Sequence, residues 1–219
     1  MNLINSINWY GLVGVVLSNL LGLRIAKSYL SNRLSQAHEY NEYLFFLSFA
    51  SCVNWIYYSV LTQDVYVFAS CVVSTITTFG FILAIFQGLQ AKPDKLLQVE
   101  IGTIIFFLYW LTMILIHGIL HLISDDFAIQ IVGLGCLIVS VAKNFSPCLV
   151  LYQVIKTQDT TLIYFPQALI GFFNLALWVI YSIIIKDTFQ VLSNSASALV
   201  CLIQLIIYWY VRLTKTVNT

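Results

Sequence analysis

Charge is what this sequence has least of. Asp, Glu, Lys and Arg make up 9% of its 219 residues, where a soluble domain carries about 25%. That shortage excludes a surface clothed in water. With 60% apolar residues and a mean hydropathy of +0.91, most side chains need lipid as their solvent. A formal net charge of +1 excludes the strongly basic footprint of a nucleic-acid binder. Cysteine is sparse and unpatterned. Cys52, Cys71, Cys136, Cys148 and Cys201 lie in apolar stretches, form no C-x-x-C pair and are odd in number. Neither a disulfide framework nor a zinc site is expected, and the thiols read as small buried hydrophobes. There is no H-E-x-x-H, no intramembrane Asp pair and no Walker loop, so no enzyme, cofactor or ATP-driven pump is expected. The start of the chain lacks a basic n-region and a small-residue cleavage site. Its first apolar run, followed by Arg24 and Lys27, is expected to stay as a helix.

What is present is a succession of long apolar runs. Seven of them cover 7–29, 43–62, 65–89, 100–120, 128–155, 162–185 and 189–212. Each is long enough for a helix to cross the hydrocarbon, which takes about 20 residues. A closed barrel would need strands alternating lipid-facing and polar residues, and IIFFLYWLTMILI or LVCLIQLIIYWY has no such dyad. Basic residues are unevenly shared among the connections. Arg24, Lys27, Arg33, Lys92, Lys95, Lys156, Arg212 and Lys215 fall on one side and Lys186 alone on the other, with Lys143 inside a span. The positive-inside rule then predicts an outside N-terminus and a cytosolic C-terminus.

The chain also repeats itself at an offset of 123 residues. Trp55, Tyr58, Ser59, Asp64, Ser70 and Ser74 match Trp178, Tyr181, Ser182, Asp187, Ser193 and Ser197. Each set lies on the second and third helices of a three-helix unit, and the fourth helix has no mate. Ser18-Asn19 and Ser146-Pro147 extend the correspondence to the first helices. Because the single middle span restores the orientation, the two units run parallel, an arrangement in which a site forms at mid-membrane between repeats. The predicted fold is an all-α membrane protein of seven transmembrane helices. Two parallel three-helix bundles, 1–89 and 128–212, are joined by a linker helix with its loops at 90–127, and 213–219 form a short cytosolic tail.

Polar groups inside hydrocarbon need a partner or a wet cavity. They concentrate in the two bundles, while helix 4 offers only Thr103, Thr112 and His117. Serines and threonines are usually interhelical glue. Asn174, Asn194 and Lys143 are harder to dismiss, since an amide brings four hydrogen-bonding sites and a lysine a charge. Trp9 and Trp209 suit interfacial anchors. Trp55 and Trp178 lie deeper, and an indole face beside amides suits a neutral polyol.

These residues resemble the SWEET family of sugar carriers. Ser146-Pro147, Val154-Ile155-Lys156-Thr157, Pro166, Asn174-x-x-x-Trp178-x-x-Tyr181, Asp187 and Asn194 follow the family order. The first repeat keeps Ser51-Cys52-x-x-Trp55-x-x-Tyr58 and Asp64. The resemblance implies bidirectional, facilitative uniport of mono- or disaccharides by alternating access. Trp55, Trp178, Asn194, Asn174 and Ser51 would line the substrate site, with Cys71 where the family has asparagine. Tyr58, Tyr181 and Asp187 would form the outer gate, with hinges at Pro147 and Pro166. Departures are Ser59 and Ser182 for glycine, Ser193 for proline, the lost prolines near Asn19, Leu21 and Leu44, and Lys143 four residues before Pro147. Lys143 is expected to face the cavity.

No cofactor or metal is expected, and the partners are a sugar and the lipid bilayer; a homo-oligomer stays open. A plasma membrane is expected, with the Golgi or another endomembrane as the alternative. Two other functions compete. A seven-helix receptor is disfavoured by the repeat and the short 2–3 and 6–7 loops. A PQ-loop amino-acid carrier shares the three-one-three plan, but Pro166-Gln167 opens helix 6, and the residue after Pro147 is Cys148.

Overall fold

The computed structural model describes residues 10–17, 20, 42–89, 93–122, 124–160 and 163–217. Among them every regular element is helical. Residues 10–17 form α1, followed by α2 (Glu42–Thr62), α3 (Val65–Leu89), α4 (Pro93–His121), α5 (Asp125–Lys143), α6 (Phe145–Thr157), α7 (Phe165–Ile184) and α8 (Thr188–Val217). The first predicted span is described only over 10–17 and 20, so Ser18, Asn19 and Leu21 fall outside. Among the described residues five stretches are long and apolar enough to cross a membrane: Val65–Leu83, Glu100–His121, Asp125–Thr157, Phe165–Ile184 and Thr188–Thr214.

Two helix boundaries depart from the sequence reading. The span read as one helix over 128–155 is two, α5 and α6, parted at Asn144. Pro147 supplies the reason. It has no N–H for the carbonyl of Lys143 four residues back, and its ring crowds that carbonyl. In the first turn of a new helix the missing N–H costs little. The other departure is α8, which runs on to Val217 through most of the stretch expected as a tail.

The chain divides into two compact units, one containing α2–α5 and the other α1 with α6–α8. They differ from the sequence repeats, because the first helix of each repeat packs on the second helix of the other. In the α2–α5 unit, α2 packs on α3, α4 and α5. Ala50, Phe106 and Val139 form its core cluster, flanked by Phe49, Val53 and Tyr109. Phe106 is the one buried side chain described on α4, whose outer face is a run of exposed Ile, Leu and Phe. The few polar groups that the sequence reading found on this helix fit that face. Its inner face is nevertheless tied to α2, because Tyr109 OH accepts from Asn54 Nδ2 at 3.0 Å and Tyr57 OH meets His117 Nδ1 at 2.6 Å.

In the other unit α8 packs on α7 and α6, and Leu151, Val154, Ile163 and Val211 close the core of the α6–α8 contact. At the end of that helix Trp209 is exposed, stacks edge-on to Phe165 and lies 6.0 Å from the Arg212 guanidinium. An exposed indole beside a guanidinium is compatible with the interfacial role expected for Trp209. Among the described residues the fully buried side chains are small: valines, Cys136 and four serines. Small residues let helices approach closely where lipid gives no hydrophobic drive for them to associate.

Candidate functional site

The repeat sites are built on two helical corners, α2–α3 and α7–α8. The first turns in two residues and the second in three. Gln63 and Lys186 take left-handed backbone (φ 58° and 60°), the conformation that ends a helix. The next N–H, of Asp64 or Asp187, closes back on the Ser59 or Ser182 carbonyl at 2.9 and 3.0 Å. Both aspartates then cap the following helix. Asp64 Oδ1 accepts from Tyr66 N and Val67 N at 3.1 Å, and Asp187 Oδ1 accepts from Gln190 N at 3.0 Å. One turn back along α2 and α7, the indole and phenol stand edge to face. The Trp55–Tyr58 centroids are 5.4 Å apart at 90°, and those of Trp178–Tyr181 are 5.5 Å apart at 87°. All four rings are buried.

In the α2–α5 unit the polar centre is Ser140. Its Oγ accepts from Trp55 Nε1 at 2.9 Å and lies 3.0 Å from Ser51 Oγ. Ser51 and Ser140 are each 1% exposed, so loss of either partner strands a polar group away from water. Cys71 lies on α3 beside Ser70, which donates to the Val67 carbonyl at 2.9 Å. Thr75, one turn further on, has a buried Oγ1 with no partner among the described residues.

Lys143, half-buried at the end of α5, has Cys52 and Cys71 as its electrostatic neighbours. It stands eighteen residues after Asp125 and fourteen before Thr157, the ends of a 33-residue apolar span. That position is too deep to snorkel from either end. The negative end of α5 attracts a cation by about 0.3–1 kcal/mol. A lysine at the centre of a spanning helix costs about 2.5–3.5 kcal/mol. The helix dipole alone does not offset the charge.

In the other unit the polar centre is Ser182. Its Oγ donates to the Trp178 carbonyl at 2.6 Å, lies 3.4 Å from Gln190 Oε1, and accepts from Asn194 Nδ2 at 3.4 Å. Gln190 Nε2 in turn donates to Asp187 Oδ2 at 2.9 Å. Asp187, Gln190, Ser182 and Asn194 therefore form one continuous ladder. Asn144, at the break before α6, donates from Nδ2 to Ser197 Oγ at 3.0 Å, and Ser197 donates to the Ser193 carbonyl at 3.0 Å. Asn174 packs against α1. A Cβ on Gly14 would lie 2.4 Å from Asn174 Oδ1, and one on Gly11 would lie 3.2 Å from the Trp178 ring. Asn174 Oδ1 is buried without a partner among the described residues.

The structure thus brings Trp55, Ser51 and Ser140 together in one unit, and Trp178, Tyr181, Asp187 and Asn194 in the other. Cys71 and Lys143 are electrostatic neighbours. Pro166 sits in the first turn of α7, at its start rather than at a bend within it. Sequence reasoning did not single out Ser140, Asn144, Ser182 or Gln190 as site residues. Ser182 was visible as a repeat match. Gln190 stands three residues after a capping Asp, the spacing of a capping box. Gly11-x-x-Gly14 was the available signal for close packing of α1.

Comparison with known proteins follows the same lines. Residues 130–216 match the family described as sugar efflux transporters for intercellular exchange. Over 91% of this chain and 85% of the relative, it is 28% identical to the bidirectional sugar transporter SWEET8 of Arabidopsis thaliana. Over 90% of this chain and 84% of the relative, it is 23% identical to the sugar transporter SWEET1 of Drosophila pseudoobscura pseudoobscura. A solved structure of a eukaryotic SWEET transporter superimposes with a TM-score of 0.76 at 17% identity, covering 95% of this chain and 96% of the other. In sequence and in fold the chain is SWEET-like: a seven-helix membrane protein of the three-one-three plan.

Proposed function

We propose that this chain carries mono- or disaccharides downhill, in either direction, across a membrane by alternating access. The observation that carries the reading is Asn174. Its buried Oδ1 lacks a donor among the described residues, and a buried orphan acceptor needs a partner. A sugar hydroxyl is such a donor. Support comes from relatives aligned over nine-tenths of the chain that are named bidirectional sugar transporters. Trp55 and Trp178 offer indole faces to the C–H face of a sugar ring. Asn194, Ser51 and the Cys71 position complete the proposed contacts. Tyr58, Tyr181 and Asp187 act at the outer gate, and flexing at the Asn144–Pro147 break and at Pro166 accompanies the exchange of states. The N-terminus faces outward and the C-terminus the cytosol, in a plasma membrane.

The test is uptake of radiolabelled hexose and disaccharide by proteoliposomes, with and without a pH gradient. Native protein should pass sugar downhill regardless of the gradient, and Asn194→Ala should lose most of that flux. Folded native protein that passes no sugar overturns the reading.

A further inference from the structure

Among the described residues the α2–α5 unit holds one mid-span charge without a counter-charge. Among the described residues the Lys143 ammonium has neither a carboxylate nor a hydrogen-bond acceptor within reach. Asp64 is taken up in capping α3, and Asp125 pairs with His121 at the start of α5. Its electrostatic neighbours are the Cys52 and Cys71 thiols, and a neutral thiol brings no counter-charge. Cys71 is the residue matched by repeat to Asn194, so the lysine stands against the wall proposed above for substrate. Thr75, a turn along α3 from Cys71, is a second group in the unit that lacks a polar partner. A neutral sugar meets the need of Thr75 and leaves the ammonium without a counter-charge. A sugar bearing a carboxylate meets both.

We infer that the substrate is an anionic sugar, of the hexuronate class, whose carboxylate pairs with the ammonium of Lys143. The inference rests on the carrier reading and specifies its substrate. Binding then forms a charge-assisted hydrogen bond, stronger than the neutral contacts around it. It also lowers the net charge held at mid-membrane in the state that has to reorient. Each turnover moves one negative charge across the bilayer, so flux responds to membrane potential.

Proteoliposomes loaded for parallel uptake of labelled glucuronate and glucose test this, with a potassium–valinomycin potential imposed. Native protein should prefer glucuronate by about tenfold or more, the range of a charged hydrogen bond, and an inside-positive potential should speed its entry. Lys143→Met and Lys143→Gln should bring the ratio down to parity or invert it, while Lys143→Arg should keep it. Thermal melting in detergent scores the folding of each variant, and the polar Gln variant serves where the Met variant does not fold. An unchanged ratio in a folded neutral variant overturns the inference. Native protein that carries glucose and rejects glucuronate overturns it too, with the carrier reading intact. A folded native chain that carries neither overturns both.

Discussion

The corner of α2 and α3 and the corner of α7 and α8 are nearly the same object in backbone and differ in chemistry. Both turn through a left-handed residue, cap the next helix with aspartate and hold a Trp–Tyr pair edge to face. At the α7–α8 corner Gln190 and Asn194 link the capping aspartate to Ser182. At the α2–α3 corner the matched residues are Val67 and Cys71, and no such ladder is available. Polarity there lies instead in Ser140 of α5, which holds Trp55 and Ser51. Turn geometry is set by a few local hydrogen bonds, so a duplicated corner keeps it with few residues. The remaining positions are released to diverge, one corner drawing its polar groups from its own third helix and the other from a neighbouring α5.

The sharpest way to break the comparison is at the first helix. Asn174 packs on Gly14, whereas its match Ser51 is bonded to Ser140. Gly14→Ala should destabilise the protein by about 3 kcal/mol through overpacking. Asn174→Ala should restore most of that in the double variant, read as a melting temperature in detergent; equal destabilisation with and without Asn174 removes the contact from the account. Next comes Ser140→Ala, which strands the Trp55 N–H and the Ser51 hydroxyl and should cost about 2 kcal/mol. Trp55 fluorescence offers a second readout, and a variant as stable as native protein would dissolve the contrast between corners. The smallest effect concerns the caps. Asp187→Ala should cost about 1–2 kcal/mol and Asp64→Ala about 1 kcal/mol, because Asp187 also holds the Gln190 side chain. Equal losses would show that the ladder adds nothing to the cap.

Much of the fold was legible because lipid leaves so few choices. Runs near 20 residues read directly as spanning helices, and the six identities at an offset of 123 found both corners. The break in the fifth span was half legible. Pro147 marked the place, but a proline acts on the carbonyl four residues before it, so the helix ends at Lys143 and the break falls at Asn144. The polar centres were less legible. Ser140 is one serine among many in the spans, and nothing in its neighbourhood of sequence says that an indole from α2 reaches it.

Hydropathy, charge asymmetry and repetition therefore determined, from the sequence by itself, that this is a helical membrane protein of two related parts. Tertiary structure alone decided which helices share a unit and which polar groups meet: α2 with α5, α7 with α1, Trp55 with Ser140, Asn144 with Ser197. The reason is the solvent. In water a helix shows its buried face as an apolar stripe against a polar one. In lipid both faces are apolar, because hydrocarbon tails are as apolar as leucine. The partner of each face is then left to close packing and hydrogen bonding, which only the folded chain displays.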